Sequence, residues 1–323
     1  MINKNKKIFI ATYPFGQCGD KPIKLLEETG WEIKHNPLGR RLKENEVKNM
    51  IRYCDGVIAG TEPYTKETIE KCKKLKIISR VGVGLDNVDF DACLEQNVIL
   101  TYTPEAPADG VADLTISQII NLLRGVRISD NLIRKGQWKR TLGKLVKEVK
   151  IGVLGVGRIG KRVIKRLIPF EPQIYACDIN PDYDFGSNNG IKWVNKNELF
   201  KICDIITIHI PMNDKNRHCV GHTELGSMKQ GSFIINTSRG HVIDEKALVS
   251  LLYNNYLGGA ALDVFENEPD VGSLPTFDNV ILTAHIGASA HESRYLMELG
   301  AVEDCIRVLC GKRPLNKVTK ECF

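Results

Sequence analysis

The sequence predicts an α/β fold built from two successive series of parallel strands. Three observations carry that prediction. Short apolar runs bounded by turn residues alternate with polar, helically spaced segments along most of the chain, the pattern of buried parallel strands joined by crossover helices. One long amphipathic segment, Ala108–Arg124, interrupts the alternation after Pro104-Glu-Ala-Pro107 and separates the two series. The 323 residues also exceed the usual length of one domain.

In the first series, the apolar stretch that follows the basic start at residues 1–7 is too short for the apolar core of a signal peptide. It reads as a strand over 7–12. A helix at 21–28, a strand at 31–35 and strands at 55–60, 76–80 and 97–101 complete the set. In the amphipathic segment Val111, Leu114, Ile116, Ile119, Ile120 and Leu123 recur near helical spacing. The second series starts at Lys150–Leu154 and continues with strands at 173–178, 204–210, 232–237, 259–263 and 279–283. Helices are expected at Arg158–Leu167, 245–254 and, last, 289–310.

Composition narrows the function classes. Hydrophobic residues make up 42% and charged residues 26% of the chain, which excludes a disordered protein. No apolar run approaches the roughly 20 residues of a membrane span. The formal charge of +6 is spread in mixed-sign company, without a basic stripe interleaved with aromatics, so no nucleic-acid partner is expected. Ten cysteines are diluted along the chain with no Cys-x-x-Cys, which reads as reduced thiols and a cytoplasmic location. His218, Cys219 and His222 are close in sequence but lack a second ligand pair, and no metal site is expected.

The sharpest motif is Gly155-Val-Gly157-Arg-Ile-Gly160. It follows an apolar strand and opens a helix, the context in which Gly-x-Gly-x-x-Gly binds a dinucleotide. Gly155 allows the tight turn, Gly157 lets the backbone approach a pyrophosphate, and Gly160 lets helix and strand pack closely. The helix N-terminus then offers N–H groups to the phosphates. The next strand ends in Asp178, 18 positions past Gly160. A carboxylate there suits the ribose hydroxyls of NAD and repels the 2′-phosphate of NADP.

Three later strands also end in polar residues: Arg239 after Phe233-Ile-Ile-Asn-Thr-Ser, Asp263 and then Glu268 after Ala260-Ala-Leu, and His285 after Val280-Ile-Leu-Thr-Ala. Ligands of open α/β sheets sit at the carboxyl ends of strands. Arg239 can grip a carboxylate bidentately and polarise an adjacent carbonyl. His285 can exchange the proton of the carbonyl or hydroxyl oxygen, and Glu268 can orient the imidazole and stabilise its cation.

With these residues in view, the sequence resembles the D-isomer-specific 2-hydroxyacid dehydrogenase family, and within it the phosphoglycerate dehydrogenases. The segments that carry the resemblance are the glycine turn, Ile208-His-Ile-Pro211 with Met228-Lys229, Asn236-Thr-Ser-Arg-Gly240, Asp263-Val-Phe-Glu-Asn-Glu-Pro269, His285-Ile-Gly287, and Ser79-Arg-Val-Gly-Val-Gly-Leu-Asp-Asn-Val-Asp89. The resemblance implies two Rossmann-like, doubly wound domains, with an NAD-binding domain at 102–287 inserted into a flavodoxin-like substrate domain at 1–101 plus 288–323. It implies a catalytic triad of Arg239, Glu268 and His285, with His285 as proton donor in reduction. Cofactor contacts would come from Gly155, Gly157, Arg158, Ile159, Gly160, Asp178, Thr237, His285 and Gly287, with His209 and Pro211 bordering the adenine and Asp263 on the nicotinamide side. Val83 and Gly84 would present backbone N–H groups to the substrate carboxylate, beside Arg239. A homodimer is also implied, in which Ala108–Arg124 pairs with its mate and the Trp138 segment reaches toward the partner.

Two departures bear on the substrate. Gly60-Thr-Glu-Pro63 stands where phosphoglycerate dehydrogenases often carry an Arg, and Glu105-Ala-Pro107-Ala stands where many members have Gly-Ala-Asn-Ala. With the sequence ending at Phe323, their appended regulatory domain is not expected here. The expected activity is hydride transfer between NAD and C2 of a small 2-hydroxy or 2-oxo acid: 3-phosphoglycerate, glycerate with hydroxypyruvate, or glyoxylate. The competing class is an NAD(H)-sensing protein resembling the family's corepressors.

Overall fold

Runs such as Gly56-Val-Ile-Ala and Ile77-Ile-Ser-Arg80 form strands that are buried along their whole length, because helices cover both faces of a parallel sheet. The structure is a computed structural model describing residues 5–322. Residues 1–4 of the basic start, and Phe323, lie outside the described residues. The chain divides into two units, Met1–Pro107 with Ala288–Phe323, and Ala108–Gly287. Residues 102–107, grouped with the inserted segment on sequence grounds, therefore stay with the first unit. There Tyr102 N–H donates to Asn316 O and Thr103 N–H to Gly82 O.

The first unit runs β1 (Lys7–Ile10), α1 (Lys21–Glu27), β2 (Glu32–His35), α2 (Glu44–Ile51), β3 (Gly56–Ala59), α3 (Lys66–Lys71), β4 (Ile77–Arg80), α4 (Phe90–Glu95) and β5 (Ile99–Thr101). All pairings are parallel, in the order β2-β1-β3-β4-β5, the flavodoxin-like order with its switch point between β1 and β3. Successive side chains go to opposite faces. Ile8, Ile10, Ile58 and Ile77 pack with Met297, Ala301, Val302 and Cys305 near the chain's end. Phe9, Val57, Ala59 and Ile78 pack on the other side with Val47, Ile51 and Ile69.

The second unit contains α5 (Ala108–Arg124), α6 (Val126–Arg134), β6 (Lys150–Leu154), α7 (Arg158–Leu167), β7 (Gln173–Cys177), α8 (Tyr183–Asn188), β8 (Lys192–Trp193), α9 (Lys196–Ile202), β9 (Ile205–Ile208), α10 (His222–Ser227), β10 (Phe233–Asn236), α11 (Glu245–Tyr253), β11 (Gly259–Leu262) and β12 (Val280–Leu282). Its seven strands lie in the order β12-β11-β10-β9-β6-β7-β8. This is the Rossmann order, extended by one strand beyond β11. The chain then returns to the first unit as α12 (His291–Leu309). The apolar stripe of α5 packs with α7 under the sheet: Ala112, Ile119, Leu122 and Leu123 join Val163, Ile164, Ile151 and Val153 in one cluster.

The expected strands at 173–178, 204–210, 232–237 and 259–263 all end short of those limits. The polar residues at their ends thus stand in the loops just beyond the sheet. No helix is long and apolar enough to cross a membrane among the described residues.

Candidate active site

Packing around the glycine turn requires two of its three glycines, Gly155 and Gly160. Gly155 has φ +91, and a Cβ there would lie 2.7 Å from the His209 carbonyl oxygen. Gly160 lets α7 cross so close to the turn that a Cβ would collide with the Gly155 carbonyl. A Cβ on Gly157 would meet nothing within 4 Å, so the turn is open on the side where a pyrophosphate would approach. No side chain caps the first turn of α7, which leaves helix-end N–H groups for an anion.

Asp178, at the end of β7, accepts from Val156 N–H at 2.6 Å through Oδ2 and from Asn180 N–H at 2.8 Å through Oδ1. The carboxylate is thus tied to the glycine turn, and each oxygen keeps a lone pair for a ribose hydroxyl. His209 Nε2 pairs with Thr207 Oγ1 at 3.0 Å, while Nδ1 is buried without a hydrogen-bond partner. Burial pushes this imidazole down to about 3, so it is neutral near pH 7 and offers an unused polar atom beside the turn. Pro211 is exposed, and its carbonyl accepts from Asn216. Thr237 is buried, its hydroxyl 3.1 Å from Thr115 Oγ1. Arg158 is exposed and Ile159 packs against the α5–α7 core. This set fits a dinucleotide: an open glycine cradle, an uncapped helix end, and an acid at the second strand's end.

Arg239, Glu268 and His285 follow β10, β11 and β12, neighbours in the sheet. His285 Nδ1 and Glu268 Oε2 are 3.0 Å apart. Burial pushes the Glu268 carboxyl up, but the hydrogen bond and charge of His285, the Phe265 N–H and the Arg239 charge outweigh it, and the net shift is downward. Glu268 is therefore held ionised against the imidazole.

Backbone shape at His285 is unusual. Its φ is +52, a left-handed conformation that non-glycine residues adopt at a cost. Asp263, 1% exposed, offsets that cost. Its carboxylate accepts from Thr283 Oγ1 at 2.6 Å and from Ile286 and Gly287 N–H, both at 2.8 Å. The His285 N–H donates to the Asp263 carbonyl at 2.9 Å. Asp263, which the family resemblance puts on the nicotinamide side, thus has three of its acceptor positions engaged by the His285 loop. Gly287 lies in that same clamp.

Asn236 was not singled out from the sequence. Its Oδ1 accepts from Ser238 N–H and Oγ at 3.0 and 2.7 Å, and its Nδ2 donates to Arg239 O at 2.9 Å. It shapes the turn that presents Arg239. An Asn ending an apolar strand and followed two residues later by Ser is the available signal. Val83 and Gly84 lie in the first unit, in the bend after β4, held where Gly82 N–H donates to Thr103 Oγ1 at 2.8 Å. His218, considered above with Cys219 and His222, places Nε2 3.0 Å from Glu266. Among the described residues no group of three or more His, Cys, Asp or Glu could hold a metal ion.

Residues 116–287 match the family model described as D-isomer specific 2-hydroxyacid dehydrogenase, NAD binding domain. A D-3-phosphoglycerate dehydrogenase of Methanocaldococcus jannaschii is 37% identical over 92% of this chain, and the match spans 57% of that relative's length. A glyoxylate reductase of Thermofilum pendens is 34% identical over 93% of this chain and 91% of its own. A crystal structure of a glyoxylate reductase from Paecilomyes thermophila is 28% identical and superposes with a TM-score of 0.87, covering 98% of this chain and 99% of that one.

Proposed function

The chain belongs to the D-isomer-specific 2-hydroxyacid dehydrogenase family, and from that premise we propose that Arg239, Glu268 and His285 catalyse hydride transfer between NAD and C2 of a small, unphosphorylated 2-hydroxy or 2-oxo acid. The observation that carries this reading is the 3.0 Å His285–Glu268 pair, set at neighbouring strand ends with Arg239. With Nδ1 engaged by Glu268, Nε2 of His285 is the nitrogen that exchanges a proton with the substrate oxygen. In reduction His285 gives that proton to the carbonyl oxygen, and in oxidation it takes the hydroxyl proton. Arg239 binds the carboxylate and favours negative charge on the neighbouring oxygen. When bound, the nicotinamide supplies or accepts the hydride. The glycine turn and α7 hold the pyrophosphate, and Asp178 selects the unphosphorylated ribose. Val83 and Gly84 supply N–H groups to the substrate carboxylate.

An unphosphorylated substrate is favoured by the Gly60–Pro63 loop. Its one charged side chain, Glu62, is 2% exposed and accepts from Gly60 N–H and Tyr64 OH at 2.7 and 3.1 Å. The loop thus offers no cation to a phosphate. The test is NADH consumption with glyoxylate, hydroxypyruvate, phosphohydroxypyruvate and 2-oxoglutarate at equal concentrations. Turnover highest with glyoxylate or hydroxypyruvate is expected; preference for phosphohydroxypyruvate overturns the substrate reading, and no turnover overturns the reaction.

The same reading includes a homodimer and a cytoplasmic location. Trp138 is 85% exposed within the chain, and the same stretch of sequence holds fully exposed Leu142 and half-exposed Leu145 and Ile133; large apolar side chains left open in this way favour an interface. Sedimentation equilibrium at micromolar concentration should give twice the 36.2 kDa chain mass; an active species at the monomer mass rules the dimer out.

A further inference from the structure

Arg239 and Glu268 arrive on loops from different strands, so nothing covalent sets the spacing between them. The two loops meet backbone to backbone. A Cβ on Gly240 would collide with the Phe265 carbonyl and lie 2.5 Å from Glu266 N. Beyond that contact, two acids are joined reciprocally. Glu266 N–H donates to Glu245 Oε1 at 2.7 Å, and Glu245 N–H donates to Glu266 Oε1 at 3.0 Å. Glu245 opens α11, six residues after Arg239, and Glu266 stands two residues before Glu268.

His218 joins this junction from a third segment. Its Nε2 lies 3.0 Å from Glu266 Oε1. Its N–H donates to His241 O at 2.7 Å, and its ring stacks on that of His241 with centroids 6.5 Å apart. His241 directly follows Gly240, so this segment is fastened to both loops. The junction concentrates like charge. Burial pushes the Glu245 carboxyl up; the Glu266 N–H opposes this, and the charges of Glu266, Asp270 and Glu268 add to it. Carboxylates crowd together in this way only where their backbone donors hold them.

We propose that Glu266, with Glu245 and His218, is a positioning unit that sets the spacing of Arg239 and Glu268, and through Glu268 the orientation of His285. The inference rests on reading Arg239, Glu268 and His285 as the catalytic groups. Its consequence follows from geometry: misplacing a catalytic group by about 1 Å costs on the order of 10²-fold in rate. The Glu266 side chain acts by accepting from Glu245 N–H and from His218. Glutamine keeps an acceptor oxygen for Glu245 N–H, whereas alanine removes it.

The test compares Glu266→Ala, Glu266→Gln, Glu245→Ala and His285→Ala in the full-length enzyme, using the best substrate from the 2-oxo acid panel. Each variant is assayed for kcat, substrate KM, NADH affinity by fluorescence titration, and fraction folded by circular dichroism. Glu266→Ala is expected to lower kcat about tenfold per folded molecule, with NADH affinity within twofold, and Glu266→Gln to restore most of the rate. Glu245→Ala, which removes the opposite acceptor, should give the same kcat-weighted loss and stands in if Glu266→Ala does not fold. The proposal is overturned if both alanine variants keep wild-type kcat, if their losses only track the unfolded fraction, or if glutamine fails to rescue. Failure of the catalytic reading looks different: His285→Ala itself would retain activity.

Discussion

At the carboxyl edge of the second unit's sheet, Glu268 and His285 are hydrogen bonded and partly open to solvent. At the same edge of the first unit's sheet the charged side chains turn inward: Glu62, Arg80 and Glu298 are 2%, 6% and 1% exposed. Glu62 fastens Gly60. Arg80 donates through Nε to Asn87 and through Nη1 to Val81 O. Glu298, on α12, accepts from Gly16 N–H and from Arg294 Nε, and Arg294 in turn holds Thr12 and Pro14 of the loop after β1. Two sheets of related design thus use strand-end charge differently. One leaves it partly exposed at the strand ends, and the other uses it to fix the loops beyond its strands. Buried charges that are hydrogen bonded in this way specify shape, and they are costly to leave unpaired.

The contrast breaks most visibly at Arg239. Arg239→Ala should lower kcat/KM by roughly 10²-fold or more while the folded fraction stays near wild type. A steady-state loss below tenfold would place the anion clamp elsewhere. Glu298→Ala is expected to show the opposite profile. It leaves Arg294 without its carboxylate, so the thermal unfolding midpoint should fall by several degrees, with kcat per folded molecule changed only a few-fold. An unchanged midpoint in calorimetry would refute the structural role given to the pair.

Acid sensitivity sharpens the comparison further. Burial holds the His209 imidazole at about 3, against an ordinary value of 6.5. The unfolded chain therefore takes up this proton first as pH falls. The associated stability is complete above about pH 6.5 and is lost progressively toward pH 3. His209→Gln should flatten that part of the acid limb in urea titrations at pH 7 and pH 5; equal pH dependence in both proteins would contradict the burial. Asp178→Ala should weaken NADH binding about tenfold and narrow its advantage over NADPH, since the acid proposed to accept the ribose hydroxyls is gone. Fluorescence titration with both cofactors decides it, and an unaltered preference would show that Asp178 serves only Val156 and Asn180.

The strands of both units were legible in the sequence, but candidate site residues were more so in the second, and the reasons are local. β6 and α7 were bounded correctly because Gly155, Gly157 and Gly160 punctuate the junction between them. β8 was not foreseen, since its two residues cannot display alternation. α6 was not separated from the segment around it, although Gly125, left-handed at φ +57, marks its start. The polar strand ends named Arg239, Glu268 and His285 as candidates. What Asp263 does for the left-handed His285 depends on the register of β11 against β12, which no linear pattern encodes. Glu62 was illegible for a different reason. Nothing in Thr61-Glu-Pro63 signals an inward side chain, and only the approach of Gly60 and Tyr64 shows that it points inward. Val83 and Gly84 are proposed for their backbone N–H groups, which no side-chain type signals, so their candidacy came from family resemblance alone.

The most direct measurement is a single turnover with enzyme in excess, following NADH fluorescence and absorbance after mixing with the preferred 2-oxo acid, for wild type and His285→Ala. Wild type should oxidise bound NADH in one rapid phase. His285→Ala should still bind NADH through the glycine turn and Asp178, and at saturating NADH oxidise it at least about 10²-fold more slowly, because the proton donor is missing. Equal hydride-transfer rates in the two proteins would contradict the assignment of the chemistry to the strand ends of the second unit.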